Sequence, residues 1–245
     1  MLARGKRAGE CSMARLTRLC VPGELHHVRV QGNNHQDIAS APEDFAHLHA
    51  LWVQESAKQG VKVHAYVFLP NCVNVILSPT HALGLTQCMQ AIGRVYVAWY
   101  NRKYSRTGTL WQGRFRSTVL ASETWLLPSM VYLDWAPVRA GLVEQVGAYG
   151  WSSHSHYIGQ QRDPLIESPE GIWRLGNTPF ARESQYAEMV QLGLTGTQVV
   201  QISKALDSGW PLGGEEFVAK LQSQTSRRLS PMKPGRPKKS PSLEQ

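Results

Sequence analysis

Two apolar strands joined by a tight turn set the architecture of this chain. Val61, Val63, Ala65, Val67 and Leu69 alternate, the period of a strand whose faces differ. Pro70-Asn71 makes the turn, and Cys72 to Leu77 continues as a second apolar strand. The elements around this hairpin decide how it is covered.

Upstream, Leu25 to Val30 alternates weakly and ends in the turn-like Gly32-Asn33-Asn34. Ser40-Ala41-Pro42-Glu43 has the form of a capping box, with Pro where a helix does not need its N–H. Phe45, Leu48, Leu51 and Trp52 follow at helical spacing to about Gln59, and Gly60 stands where a C-terminal glycine belongs. Downstream, Leu83 to Tyr104 predicts a long helix burying Met89, Ile92, Val95, Tyr96 and Trp99. Arg114 to Leu120 reads as a fourth strand. Ser122 opens a third helix reaching Trp135, with Pro128 as either a kink or the true start. The order strand, helix, strand, strand, helix, strand, helix predicts an α+β fold, a ferredoxin-like antiparallel sheet with helices on one face.

The chain has 245 residues, enough for one core and an appendage. The main domain is assigned to residues 13–157, with 1–12 as an N-terminal extension. Residues 158–190 read as a linker, 191–222 as a short helical region, and 223–245 as a disordered basic tail. The charge balance, 26 Lys+Arg against 18 Asp+Glu, leaves +8, concentrated toward both ends, which favours an anionic partner. Four cysteines lack any disulfide-framework spacing, and no stretch approaches the ~20 apolar residues of a membrane span. The expectation is a soluble, cytoplasmic, nucleoid-associated protein.

The motifs are more specific than the composition. Pro22-Gly23 precedes His26-His27-Val28 and Gln31-Gly32-Asn33-Asn34, and Val63 to Val67 leads into Leu69-Pro70-Asn71. Arg106-Thr107-Gly108-Thr109-Leu110-Trp111-Gln112-Gly113-Arg114-Phe115-Arg116-Ser117 comes next. Tyr132 then stands ahead of Pro137-Val138-Arg139-Ala140-Gly141-Leu142-Val143, and Tyr149-Gly150-Trp151-Ser152-Ser153 closes the series. In this order and at these spacings the chain resembles the REP-associated tyrosine transposases, a branch of the single-tyrosine HUH superfamily with an IS200-like domain.

That resemblance implies a chemistry. Two histidines on one strand face, with a third polar ligand, hold Mg²⁺ or Mn²⁺ against a scissile phosphate, and a tyrosine attacks to form a 5′-phosphotyrosine. Tyr132 takes the nucleophile's position. The metal positions are Cys72, Asn74 and Ala136, where a thiol, an amide and a methyl replace the expected donors; a thiolate suits Mg²⁺ poorly and an amide oxygen binds it weakly. A zinc ion on Cys72 and His64 would lack the usual three or four good ligands. Read without the resemblance, Cys72 is a small buried hydrophobe and Tyr132 a packing residue. The metal is therefore expected to be weak or absent, and strand cleavage impaired.

Binding can survive that loss. Lys103, Arg106, Trp111, Arg114, Arg116 and Arg139, with Arg15 and Arg18 before the first strand, interleave charge and rings as single-stranded or hairpin DNA requires. The same residues read equally as core aromatics and a solvated basic face. Pro234-Gly235-Arg236-Pro237-Lys238-Lys239 resembles an AT-hook, whose Arg236 and Lys238 could enter a narrow minor groove. A non-catalytic DNA binder is the alternative reading. RNA binding would call for solvent-facing aromatics that Val61 to Leu77 does not clearly show. Monomer and homodimer both remain open.

Overall fold

The protein is described by a computed structural model over residues 18–230. Its core is β1 (Leu25–Gln31), α1 (Pro42–Lys58), β2 (Val61–Leu69), β3 (Cys72–Pro79), α2 (Gly84–Lys103) and β4 (Arg116–Leu120). The strands pair in the order β2-β3-β1-β4, and every pair is antiparallel. β3 thus lies between the parallel β1 and β2, the split βαβ arrangement expected of a ferredoxin-like sheet.

Local chemistry explains the boundaries. The first helix starts one residue later than the sequence box implied: Asp44, not Glu43, turns back so that its Oδ2 accepts from the backbone N–H of Ser40 and Ala41 at 2.8 and 2.9 Å. Gly60 follows α1 at φ 61°, a conformation that glycine adopts without strain. Pro128 lies inside α3 (Ser122–Asp134) without ending it.

One sheet face carries α1 and α2, which pack Leu48, Trp52, Leu85 and Tyr96 on Val28, Phe68, Val73 and Val75. Val95, expected on the buried side of α2, is 40% exposed; it lies off the stripe that touches the sheet. The opposite face is equally apolar, through Ala65, Val67, Ile76 and Leu120. Helices are expected on one face only, but this second face is as apolar as the first and carries its own helical cover. α3, α7 (Pro179–Leu192) and α8 (Gly196–Ser208) cover it, burying Leu126, Met130, Tyr186, Ile202 and Leu206. Each such large apolar side chain contributes about 1.5–3 kcal/mol. Short helices α4 (Ala136–Arg139), α5 (His154–Tyr157) and α6 (Glu170–Trp173) link these layers, and α9 (Glu215–Ser223) follows.

Two segments differ from expectation. Residues 158–190, expected as a linker, contain α6 and most of α7, and Ile172, Tyr186 and Val190 reach the core, the last two one helical turn apart. Beyond residue 222 the chain still packs: Leu229 is buried with Leu19, Val21, Val119 and Leu221. Both sheet edges are covered as well. The Phe68 N–H donates to Trp151 O at 2.9 Å on one side, and the Leu212 N–H to Val119 O at 2.8 Å on the other. Among the described residues no helix is long and apolar enough to cross a membrane.

Candidate nucleic-acid interface

Strand alternation puts His27 and Arg29 of β1 on the same face as Cys72 and Asn74 of β3, because Arg29 pairs with Asn74 and His27 with Ile76. This is the face that α3 covers, so Tyr132 comes to it from above. The His27 and Tyr132 rings meet edge to face at 6.0 Å. The Arg139 guanidinium lies over the Tyr132 ring at 4.0 Å and donates to the Tyr132 carbonyl at 2.5 Å. Tyr132 is therefore gripped through its ring and its backbone by groups from α4 and β1.

Below it, the Asn74 side-chain N–H₂ donates to the Cys72 sulfur at 3.3 Å. Burial pushes the Cys72 thiol up to about 11, and the nearby Arg29 charge offsets only part of that. The sulfur is thus a protonated thiol at neutral pH, and as a soft donor it suits a hard ion such as Mg²⁺ poorly. His27 is fully buried, and neither ring nitrogen has a hydrogen-bond partner among the described residues. Burial first, then the Arg29 charge, hold its imidazole down to about 3, so it is neutral. Ala136, at the start of α4, presents a methyl group.

These residues do not fit a hard divalent cation. No group of three His, Cys, Asp or Glu able to hold a metal occurs among the described residues. The positions hold a protonated thiol, an amide with its N–H₂ turned to that thiol, and a methyl, with Arg29 supplying positive charge beside them. His64 is committed elsewhere: Nδ1 bonds Glu167 O at 2.7 Å and Nε2 the Ser78 hydroxyl at 2.8 Å. It is no partner for Cys72.

The basic residues fall into distinct settings. On the α3 side, Arg29 and Arg116 share one carboxylate of α8, Asp207, with Arg116 Nη1 at 2.6 Å from its Oδ1. Around the other face, Arg18 stacks over the Phe115 ring at 3.9 Å beside exposed Arg114, while Trp111 is half-buried against the core. Lys103 is spoken for: its ammonium pairs with buried Asp44 at 2.5 Å, whose other oxygen accepts from the Tyr104 hydroxyl at 2.7 Å. Arg106 donates to Gln36 Oε1 at 2.6 Å. Arg15, Arg236 and Lys238 lie outside the described residues. The sequence reading did not single out His27 as a site residue and passed over Arg29 and Asp207. The first two could have been found from the β1 alternation, whereas nothing local points to Asp207, 178 residues from Arg29.

No protein-family profile matches the chain, and no curated protein does. Among solved structures it is similar to a REP-associated tyrosine transposase bound to a REP hairpin. That likeness has 15% identity and a TM-score of 0.49, over 64% of this chain and 92% of the other. A candidate transposase from Deinococcus radiodurans R1 is similar at 16% identity and a TM-score of 0.33, over 50% of this chain and 89% of the other.

Proposed function

We propose that this chain is a DNA-binding protein of the REP-associated tyrosine transposase type that recognises hairpin or single-stranded DNA. The observation that carries the reading is the meeting of three parts: Tyr132 on α3, the Cys72/Asn74 face of β3 beneath it, and cationic Arg29, Arg116 and Arg139 around them. A tyrosine with a guanidinium stacked on its ring over a sheet face suits a phosphodiester, whose charge Arg139 can meet directly and Arg29 and Arg116 can meet on leaving Asp207.

The ancestral reaction is cleavage and rejoining through a 5′-phosphotyrosine at Tyr132. In this chain that reaction is impaired, because the positions that would hold the metal offer no suitable donors. The arginines can bind and orient a phosphate, but a fixed guanidinium does not replace a metal that activates it by direct coordination. The second reading, a non-catalytic binder of palindromic repeats, is favoured by the methyl group at Ala136 and the protonated Cys72 thiol.

End-labelled hairpin DNA with Mg²⁺ or Mn²⁺ separates these possibilities, with Tyr132→Phe as the control. A complex retarded on a native gel, without a covalent adduct on a denaturing gel, is the expected result. An adduct lost in Tyr132→Phe would show that chemistry persists. Absence of any retarded complex would remove the DNA-binding reading.

A further inference from the structure

The sheet face opposite Tyr132 contains a cavity of about 250 Å³ that the site above does not use. Its walls are largely apolar and aromatic, with Trp52 of α1, Trp111 and Phe115 of the loop before β4, and Gln90 and Gly93 of α2. Two features set it apart from a packing defect. First, the indole N–H groups of both Trp52 and Trp111 are buried with no acceptor among the described residues. Trp52 is itself only 1% exposed, and a buried donor left unpaired costs about 1–3 kcal/mol. Second, Arg18 and Arg114 stand together at the rim, close enough for the Arg114 charge to lower the Arg18 pKa after burial has done so. Among the described residues neither forms an ion pair and no carboxylate lines the cavity.

Gly93 keeps the cavity open. A Cβ at this helical position would lie 3.4 Å from the Trp111 Nε1, so any larger residue would begin to fill the space beside that N–H. The loop carrying Trp111 is pinned to β1, with the Gln112 N–H donating to Gln31 O and the Asn33 N–H to Leu110 O, at 2.8 and 2.9 Å. The aromatic walls are thus preorganised rather than dependent on a ligand for their placement.

We propose that this cavity receives one unpaired base of the bound DNA strand, with an adjoining phosphate on Arg18 and Arg114. A base is planar, offers π-faces to the aromatic walls, and carries the carbonyl or ring-nitrogen acceptors that two unpartnered N–H groups require. Its phosphate supplies the anion that the paired guanidinium groups lack. This assignment rests on the DNA-binding reading and adds to it a second point of contact, across the sheet from Tyr132.

The test starts from a pool of hairpins with randomised single-stranded flanks. The best-bound member is labelled, and each flanking nucleotide in turn is replaced by an abasic residue. Fluorescence anisotropy then gives the affinity for the wild-type protein and for Gly93→Leu and Trp52→Phe. In the wild type, abasic replacement at one flanking position weakens binding about tenfold, the scale of one stacked base. In Gly93→Leu the intact hairpin binds about tenfold more weakly, and the abasic replacement at that position has no further effect. The abasic series on the wild type decides the matter without any variant that must refold. Uniform affinity across all abasic positions, with the parent hairpin still bound, overturns the base pocket and leaves DNA binding intact. Failure of the wild type to bind any member of the pool overturns both.

Discussion

Asp207 is the residue whose removal should reveal most about how this surface meets DNA. It lies in the last turn of α8 and is 51% exposed, yet its Oδ1 takes both Arg29 and Arg116. Two ion pairs on a half-exposed carboxylate stabilise the fold by about 0.2–1 kcal/mol each. A carboxylate near a helix C-terminus is opposed by the helix dipole by about 0.3–1 kcal/mol. These effects nearly cancel, so Asp207→Asn should change stability by less than about 1 kcal/mol. Its effect on DNA should be larger. Releasing two guanidinium groups toward phosphates steepens the fall of log K with log salt by about 0.7 per contact for a single strand and about 0.9 for duplex. Two contacts therefore add about 1.4–1.8 to the slope, an additional loss of roughly tenfold between about 50 and 200 mM salt. Hairpin binding at low salt should become correspondingly tighter. Anisotropy titrations over a salt series, with a urea melt as the fold control, measure both quantities. An unchanged slope in a protein of unchanged stability would refute the placement of Arg29 and Arg116 against phosphates. Weaker binding at low salt would mean that Asp207 holds the arginines in their binding geometry.

Three further outcomes follow from the same structure. Ile202→Ala, at a fully buried position of α8, should cost about 2–5 kcal/mol in a urea melt; a loss below about 1 kcal/mol would mean that α8 is not part of the common core. EDTA should leave the retarded hairpin complex unchanged, since the described residues hold no metal-ligand group; a complex that dissolves in EDTA and returns with Mn²⁺ would contradict the site as described. Burial holds His26 and His27 down to about 4 and about 3, so both stay neutral in the fold while unfolded histidines protonate near pH ~6.5. The unfolded state binds more protons below that pH, so stability is complete above about 6.5 and falls toward about 4. For two such groups the slope approaches roughly 2.7 kcal/mol per pH unit, and His27→Leu should remove about half of it. Equal slopes in variant and wild type would show that His27 does not stay neutral.

What the sequence made legible here is what short-range chemistry decides. The alternation of Val61 to Leu69, the Pro70-Asn71 turn and the spacing of Leu48, Leu51 and Trp52 are local patterns, and the hairpin and α1 appear where they lead one to expect. Arg114 and Phe115 read as strand, yet β4 begins only at Arg116, because the preceding segment is held to β1 as a loop. Lys103 misled for a different reason. In sequence it belongs to a basic run, but Asp44, 59 residues away and fully buried, requires a cation, and Lys103 is the one α2 brings to it.

The candidate site divides along the same line. Cys72, Asn74, Ala136 and Tyr132 are visible as motif positions, and the thiol, amide and methyl at the first three are poor donors for a hard divalent ion. What stands near those positions instead depends on register: β1 pairs with β3 so that Arg29 faces Asn74, and the α3–α4 junction sets Arg139 over Tyr132. On the proposed reading, positive charge is retained in fixed side chains rather than in a coordinated ion. The two kinds of charge are not equivalent. A guanidinium donates hydrogen bonds to phosphate oxygens that remain hydrated or protein-bound, which supports affinity and orientation. A metal takes an oxygen into its coordination sphere and withdraws electron density from the phosphorus. On the proposed reading, exchanging the second for the first preserves recognition of the DNA backbone while raising the barrier to its cleavage.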